Sequence, residues 1–174
     1  VGIISDLGIG GKVPPERFMA EGDEKSAVMS ISYKDNEKSD NVLQLVPRII
    51  TAGIGCRKGV TVEEIEKAVI KCFSDNNIRP EALSEIASID IKKDEKGIRE
   101  FADKMGVDFV TYSAGELRTV KGEFSKSEFV ESVTGVSNVC ERSAAARGSR
   151  LILHKKVYGR VTVALAEKEI RILI

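Results

Sequence analysis

The chain has 174 residues, of which 42% are hydrophobic and 31% charged, which is enough for one domain of normal size with a proper core. Its 27 basic residues balance its 27 acidic residues, so the composition disfavours general nucleic-acid binding, which needs a basic face for the phosphates. Aromatic residues make up only 5% and tryptophan is absent, which argues against a stacking surface for single-stranded nucleic acid.

The cysteines, the single histidine and the lengths of the apolar runs indicate the cellular compartment of the chain and exclude some kinds of ligand and partner. Cys56, Cys72 and Cys140 are odd in number and widely spaced, which favours free thiols in the cytoplasm over a disulfide framework. His154 is the only histidine, so a histidine-rich metal site is excluded, and we predict no metal site. No apolar run reaches the ~18 residues of a transmembrane helix, and we predict no membrane partner. Residues 1–6 have neither an initiating Met nor signal-peptide features, so we expect a fragment of a longer protein.

Residues 1–48 are predicted to be the β-rich end of a preceding middle region, followed by a linker. Two strand-like runs, Val1–Ser5 and Ala27–Tyr33, flank a stretch rich in glycine and proline. A charged, turn-rich segment and the short apolar run Leu43–Val46 then lead to Pro47.

From residue 49 to 174, apolar strands alternate with amphipathic helices. In chain order the pattern predicts a strand at Ile49–Gly53, a helix at Thr61–Asn76, a helical turn at Pro80–Ser84, a strand at Glu85–Asp90, a helix at Asp94–Met105 ended by Gly106, a strand at Val107–Tyr112, helices at Ser113–Val120, Ser125–Thr134 and Asn138–Arg147, a hairpin of Leu151–His154 and Arg160–Ala166, and an edge strand at Lys168–Ile174. This order favours a three-layer α/β/α domain with a mixed, largely parallel sheet.

The segment Gly53–Gly59 is predicted to be an anion-binding loop between a strand and a helix. Its glycines allow tight turns and a close approach of the backbone to a ligand. Thr61 and Glu64 form a capping-box pattern, so a helix N-terminus with its unpaired N–H groups should follow, and Arg57 and Lys58 add two cations. The glycine spacing fits neither a P-loop nor a dinucleotide-binding fingerprint. A plain strand-to-helix turn with surface cations remains an open alternative.

Cys56 has two open interpretations. A helix N-terminus and two cations would lower the pKa of its thiol and make it a nucleophile or redox group. A cysteine at the end of a buried strand is more often a small packed residue, and no histidine or asparagine partner is evident for it. The packing interpretation is favoured.

Polar residues also end two other predicted strands. Ser88–Asp90 closes one strand, and Thr111–Ser113 closes the next. Ligands of open α/β sheets gather outside the carboxyl ends of the strands, so we expect these residues to share a site with the glycine-rich loop. Asp90 could orient a water or cap the following turn. Ser113 and Glu116 read mainly as a helix cap, with Ser113 still facing the expected cleft.

Four phrases of the sequence together resemble one known family. They are Gly53–Gly59, Ala87–Lys92, Tyr112–Leu117 and Gly135–Ala145, the last with the strand Leu151–Lys156. In this order and spacing they resemble the C-terminal domain of the CbiG family, the cobalt-precorrin-5A hydrolases of cobalamin biosynthesis, to which CobE proteins are similar. The resemblance covers residues 46–166.

This resemblance implies a role in building the corrin ring. The family reaction opens the ring lactone of cobalt-precorrin-5A and releases acetaldehyde to give cobalt-precorrin-5B. It implies a tetrapyrrole (cobalt-precorrin) substrate rich in carboxylates and no cofactor bound by the chain itself, since cobalt enters only within the corrinoid substrate. Other enzymes of the cobalamin pathway and further copies of this chain remain open as partners. The alternative is a non-catalytic corrinoid-binding or carrier module like CobE. A nucleotide-binding domain is disfavoured by the glycine spacing.

The predicted site residues lie around the three strand ends. The residues predicted to bind substrate are Gly53, Gly55, Cys56, Arg57, Lys58, Gly59, Ser88, Ser113 and Glu116. Asp90 is the candidate catalytic base. His154 stands where the family often has proline, so the resemblance gives it no catalytic role, and we expect a solvated histidine on an edge strand.

Overall fold

The structure is a computed structural model that describes residues 2–5, 28–35, 42–124 and 137–170. The predicted helix Ser125–Thr134 lies outside the described residues. So does the end of the predicted edge strand Lys168–Ile174, of which residues 168–170 are described and are not in a strand.

The observed elements follow the predicted order closely. They are β1 (Gly2–Ser5), β2 (Val28–Ile31), β3 (Val42–Leu45), β4 (Ile50–Cys56), α1 (Val62–Asp75), β5 (Leu83–Ile89), α2 (Lys96–Met105), β6 (Asp108–Tyr112), α3 (Ala114–Thr119), α4 (Val139–Ala144), β7 (Arg150–Tyr158) and β8 (Val161–Glu167), with short 3-10 turns at Pro80–Ala82, Asp90–Lys92 and Ala146–Gly148. The hairpin differs from its prediction because β7 continues to Tyr158, which leaves Gly159 and Arg160 as its turn.

The main sheet has the order β6-β5-β4-β8-β7. Strands β4, β5 and β6 are parallel to one another, whereas β8 is antiparallel to both of its neighbours. Helices α1 and α2 pack on one face, and α3 and α4 pack on the other. The predicted three-layer fold with a mixed sheet is therefore confirmed.

The larger core lies between the sheet and the α1–α2 layer. Its fully buried large side chains include Ile54, Ile86, Leu165, Ile65, Phe73, Ile98 and Phe101. Each such side chain stabilises the fold by about 1.5–3 kcal/mol relative to an exposed one. The opposite face is packed with smaller residues, among them Ala87, Ala144, Ala164 and Ala166, so α4 can approach the sheet closely.

Local capping patterns fix where three of the helices begin or end. Thr61 accepts a hydrogen bond from the N–H of Glu64 at 3.3 Å, and the Glu64 carboxylate accepts one from the N–H of Thr61 at 3.0 Å. Ser113 and Glu116 form the same reciprocal box at α3. Gly106 ends α2 in the left-handed conformation with φ of 62°, which suits glycine.

A second, three-stranded parallel sheet is formed by β1, β2 and β3. It is attached to the main domain through Arg79, whose guanidinium donates to Oε1 of Gln44 at 2.7 Å and whose N–H donates to the carbonyl of Tyr33 at 2.9 Å. The Tyr33 hydroxyl also donates to the Glu167 carboxylate at 3.0 Å. Strands are thus present in residues 1–48, as expected, while the domain boundary after residue 48 stays a prediction.

Candidate functional site

The glycine-rich segment begins inside a strand. Strand β4 continues through Cys56, with Gly53 paired to β5 on one side and to β8 on the other. The loop to α1 therefore starts at Arg57, and the prediction that it starts at Gly53 is wrong. The reason is that the glycines at 53 and 55 serve the packing of this strand instead of a turn.

Gly53 allows α4 to lie directly on the sheet. A Cβ at this position would overlap the carbonyl oxygen of Cys140 and would lie 2.8 Å from the amide nitrogen of Ala144. Gly53 is buried beneath that helix, so its predicted contact with substrate does not fit this placement. Gly55 is partly exposed, and its carbonyl accepts a hydrogen bond from the Thr162 hydroxyl at 3.1 Å.

The loop amides hold groups of the chain itself. The N–H of Gly59 donates to Oε1 of Glu95 at 2.6 Å, and the N–H of Arg57 donates to the carbonyl of Arg160 at 3.2 Å. Lys92 pairs with the other oxygen of Glu95 at 3.3 Å, and both side chains are largely buried. The anion that the sequence predicts at this loop is thus, at Gly59, an internal carboxylate.

Arg57 and Lys58 have exposed side chains at the carboxyl end of β4. Within the part of the chain that the structure describes, neither forms an ion pair. Because β4, β5 and β6 are parallel and in register, the residues that follow them lie along one edge of the sheet. Asp90 and Ser113 therefore share this edge with the loop, as the sequence predicts.

Three of the predicted site residues, Ser88, Ser113 and Glu116, have side chains in structural hydrogen bonds. Ser88 is fully buried, and its hydroxyl donates to the carbonyl of Ile54 at 2.7 Å. Glu116 is tied to Ser113, whose hydroxyl and N–H hold the pKa of the carboxyl below its ordinary value. Asp90 is partly exposed and opens a 3-10 turn, where its carbonyl accepts from the N–H of Lys93 at 2.9 Å.

Cys56 is half-buried at the last position of β4 and packs against the larger core. Burial raises the pKa of its thiol above the ordinary value, although nearby Lys92 acts in the opposite direction. A raised pKa disfavours the thiolate that a nucleophile needs. The structure thus favours the packing interpretation.

Glu141 is the residue that sequence reasoning passed over. It lies on α4 with none of its side chain exposed, and its Oε1 accepts a hydrogen bond from the backbone N–H of Lys155 at 2.7 Å. Its Oε2 lies 3.4 Å from Nδ1 of His154. One feature of the sequence points to this role: Glu141 is a carboxylate in a short helix whose other residues are mostly small. If such a helix packs on the sheet, the carboxylate is buried, and a buried ionised group needs partners.

The described residues also lack a metal-binding cluster and a membrane-spanning helix. No group of three or more histidine, cysteine or acidic side chains that could hold a metal ion is found among them. None of the helices described is both long and apolar enough to span a membrane.

Comparison with known proteins identifies relatives over most of this domain. The family model described as "Cobalamin synthesis G C-terminus" matches residues 50–166. The cobalt-precorrin-5A hydrolase of Priestia megaterium is 30% identical over 147 residues, which are 80% of this chain and 39% of that protein. The protein CobE of a Sinorhizobium species is 30% identical over 121 residues, which are 67% of this chain and 79% of that protein.

A solved structure has the same fold. The crystal structure of CobE, a protein from the cobalamin biosynthetic pathway, aligns with a TM-score of 0.64 and 28% identity, covering 70% of this chain and 92% of that one. The chain spans about two fifths of the length of the Priestia relative. Because the family model covers well over half of the chain, the chain belongs to the cobalamin synthesis G C-terminal family, whose named relatives act in cobalamin biosynthesis.

Proposed function

We propose that this chain is the corrinoid-binding part of a cobalt-precorrin-5A hydrolase. The observation that carries the proposal is the family match over residues 50–166, together with relatives of that name. Since the chain spans 39% of the Priestia protein, the activity of a whole hydrolase is part of the proposal.

The carboxyl edge of the parallel strands is the proposed binding surface. Arg57 and Lys58 extend their charges into solvent there and suit the acetate and propionate carboxylates of a tetrapyrrole. Ile91 follows β5 at the same edge with 61% of its surface exposed, which suits the apolar face of a macrocycle. Ser113 adds a polar contact, while Gly55, Cys56 and Gly59 shape the strand end and the loop.

Lactone opening needs a base and stabilisation of an oxyanion. Water adds to the lactone carbonyl and the lactone carbon–oxygen bond breaks, which gives a carboxylic acid and an alcohol. The alcohol then loses its proton as the carbon–carbon bond to the macrocycle breaks, the macrocycle takes up the electron pair and a proton, and the two carbons leave as acetaldehyde. Asp90 is the proposed base because it is a partly exposed acidic residue at the strand end, and a carboxylate can act as a general base. Oxyanion stabilisation is assigned to the side chains of Arg57 and Lys58, since the Gly59 amide is already bonded to Glu95.

The proposal includes no cofactor of the chain itself, because cobalt would arrive within the substrate. The three cysteines are free thiols, which supports a cytoplasmic location. Other cobalamin-pathway enzymes and further copies of the chain remain proposed partners.

The test is acetaldehyde release from cobalt-precorrin-5A by this chain, with the Priestia megaterium hydrolase as the positive control. Release that falls at least tenfold in Asp90→Asn, while corrinoid binding persists, would support the assignment. Binding of the corrinoid with no release by the wild-type chain would contradict a complete active site here. Failure to bind the corrinoid at all would overturn the proposal.

A second candidate function is a non-catalytic module that holds or carries the corrinoid. The observation that favours it is the coverage of the CobE structure, because this chain accounts for 92% of that protein's chain. A protein of this family can therefore consist of little more than this domain. Tight binding without acetaldehyde release, both from this chain alone and after addition of other parts of a hydrolase, would select this function.

A further inference from the structure

His154 is more than a solvated side chain on an edge strand. Its Nδ1 lies 3.4 Å from Oε2 of Glu141, and 66% of the His154 side chain is exposed while none of the Glu141 side chain is. A buried carboxylate thus lies beside one nitrogen of an imidazole that is largely exposed to solvent. His154 is the only histidine of the chain.

A β-bulge creates this contact. Leu153 pairs with Leu165 and Lys156 pairs with Val163, so His154 and Lys155 together lie opposite one residue of β8. Bulges of this kind re-aim side chains and are frequent beside functional sites. Here the bulge turns the N–H of Lys155 to one oxygen of Glu141 and the ring of His154 to the other.

The same face of β7 offers an open apolar surface. Val157 is 66% exposed and pairs with Thr162, which in turn pairs with Gly55. Residues that pair directly across strands have their side chains on one face of the sheet. Val157 therefore shares the α4 side of the sheet with His154, and a flat ligand could lie there against a small side chain and a glycine.

A carboxylate behind an imidazole is the usual arrangement of a metal-ligating histidine. At such sites the carboxylate accepts a hydrogen bond from one ring nitrogen, which fixes the tautomer and the ring orientation of the ligand. With Nδ1 only 3.4 Å from the Glu141 carboxylate, Nε2 is the nitrogen left for a ligand. The described residues offer no further ligands that would hold a free metal ion beside this ring, whereas the cobalt of a tetrapyrrole would arrive with its ring nitrogens already bound and would need only an axial ligand.

We propose that Nε2 of His154 is an axial ligand of the cobalt in the bound corrinoid and that Glu141 is its positioning residue. This rests on the proposed function, because it requires that the chain binds a cobalt tetrapyrrole. The Nε2 lone pair forms a bond to cobalt at a vacant axial position or in place of an axial water. No oxidation or net proton transfer is involved.

Electron paramagnetic resonance of bound cob(II)yrinic acid tests the coordination directly. An axial nitrogen splits each resolved cobalt line into a triplet, whereas an axial water does not. We expect triplets for the wild-type chain and unsplit lines for His154→Gln, with the acid still bound through its carboxylates. Glu141→Gln should retain the Lys155 hydrogen bond but lose the carboxylate charge, and at least half of the triplet intensity should disappear.

Binding is measured separately by titration of the same acid, and circular dichroism confirms that each variant folds. Saturable binding to the wild-type chain without triplets would overturn the cobalt ligation and leave the proposed function intact. Triplets that persist in His154→Gln would assign the nitrogen to another residue and also overturn it. Absence of any binding would overturn the proposed function itself and this inference with it.

Discussion

Gly53 shows how one residue lets the α4 layer form. A side chain at this position would meet backbone atoms of Cys140 and Ala144, which can move only if the helix moves. At Gly55, by contrast, an added Cβ would meet the hydroxyl of Thr162, a side-chain group that can rotate if it gives up its hydrogen bond to the Gly55 carbonyl. The two glycines are thus close in sequence, but only Gly53 is required by contact with the backbone of another element.

We expect Gly53→Ala to destabilise the fold by about 3 kcal/mol, the upper end of the usual cost of overpacking, because the helix backbone must shift. Gly55→Ala is the matched control and should cost about 1 kcal/mol or less, since a side chain can give way. Urea unfolding of both variants measures the difference. Equal losses in the two variants would contradict the tight contact between β4 and α4.

Cys56 supplies a test of covalent chemistry at the same strand. Its thiol is packed against the core, and burial raises its pKa. We expect Cys56→Ser to cost about 1 kcal/mol in the free energy of unfolding and to leave corrinoid binding within about twofold, a change of roughly 0.4 kcal/mol. The contrary result is a Cys56→Ser variant that folds and binds the corrinoid but releases no acetaldehyde in a hydrolase that contains this domain. That result would assign a nucleophilic role to Cys56.

The backbone of the loop between β4 and α1 is held by hydrogen bonds to two other segments of the chain. Glu95 accepts from the Gly59 amide, and the Arg160 guanidinium donates to the Lys58 carbonyl at 3.1 Å. These contacts fix the loop backbone while the side chains of Arg57 and Lys58 remain exposed. The element therefore presents two cations on a fixed backbone, and its amides are not a ready anion site.

The double variant Arg57→Ala, Lys58→Ala should weaken binding of a polycarboxylate corrinoid about tenfold at low salt. Each exposed charge contact contributes up to ~1 kcal/mol, and the loss should shrink as salt screens the interaction. Isothermal titration at two salt concentrations measures both effects. Lys67→Ala, Lys71→Ala on the exposed face of α1 is the control. Unchanged affinity in the loop variant would remove the loop from the binding surface.

At the scale of the whole molecule, two buried thiols link stability to pH. Burial raises the pKa of Cys72 and of Cys140 from 9.0 to about 11. Below pH 9.0 both thiols are protonated in the folded and the unfolded chain, so their contribution to stability is complete. Between these values the unfolded chain loses protons that the folded chain keeps, and stability falls as pH rises.

We therefore expect the urea midpoint to fall steadily from pH 9.0 to about 11. Tyr158, whose pKa burial also raises, should act in the same direction. The variant Cys72→Ala, Cys140→Ala should be less stable at neutral pH but should lose less of its stability over this range. A midpoint that stays constant in the wild-type chain would contradict the burial of the two thiols.

Local patterns made most of the fold predictable. The capping boxes at Thr61 and Ser113 each depend on two residues three positions apart. They can therefore be recognised in the sequence, and they define where α1 and α3 begin. The contact of Gly53 with α4 and the contact of Glu141 with His154 depend on packing between distant segments and on a bulge. No local pattern specifies either contact, so the sequence predicts a loop that starts too early, at Gly53, and gives no role to Glu141.

With Arg57 and Lys58 exposed at the carboxyl edge of the sheet, the chain should bind a cobalt corrinoid through the carboxylates of that ligand. The most direct measurement is a titration of the chain with cobyrinic acid, with the fully amidated cobinamide as the matched ligand that lacks those charges. We expect saturable binding of the acid, at least tenfold weaker binding of cobinamide, and an affinity for the acid that falls as the salt concentration rises. No binding of the acid, or equal and salt-independent binding of both corrinoids, would contradict it.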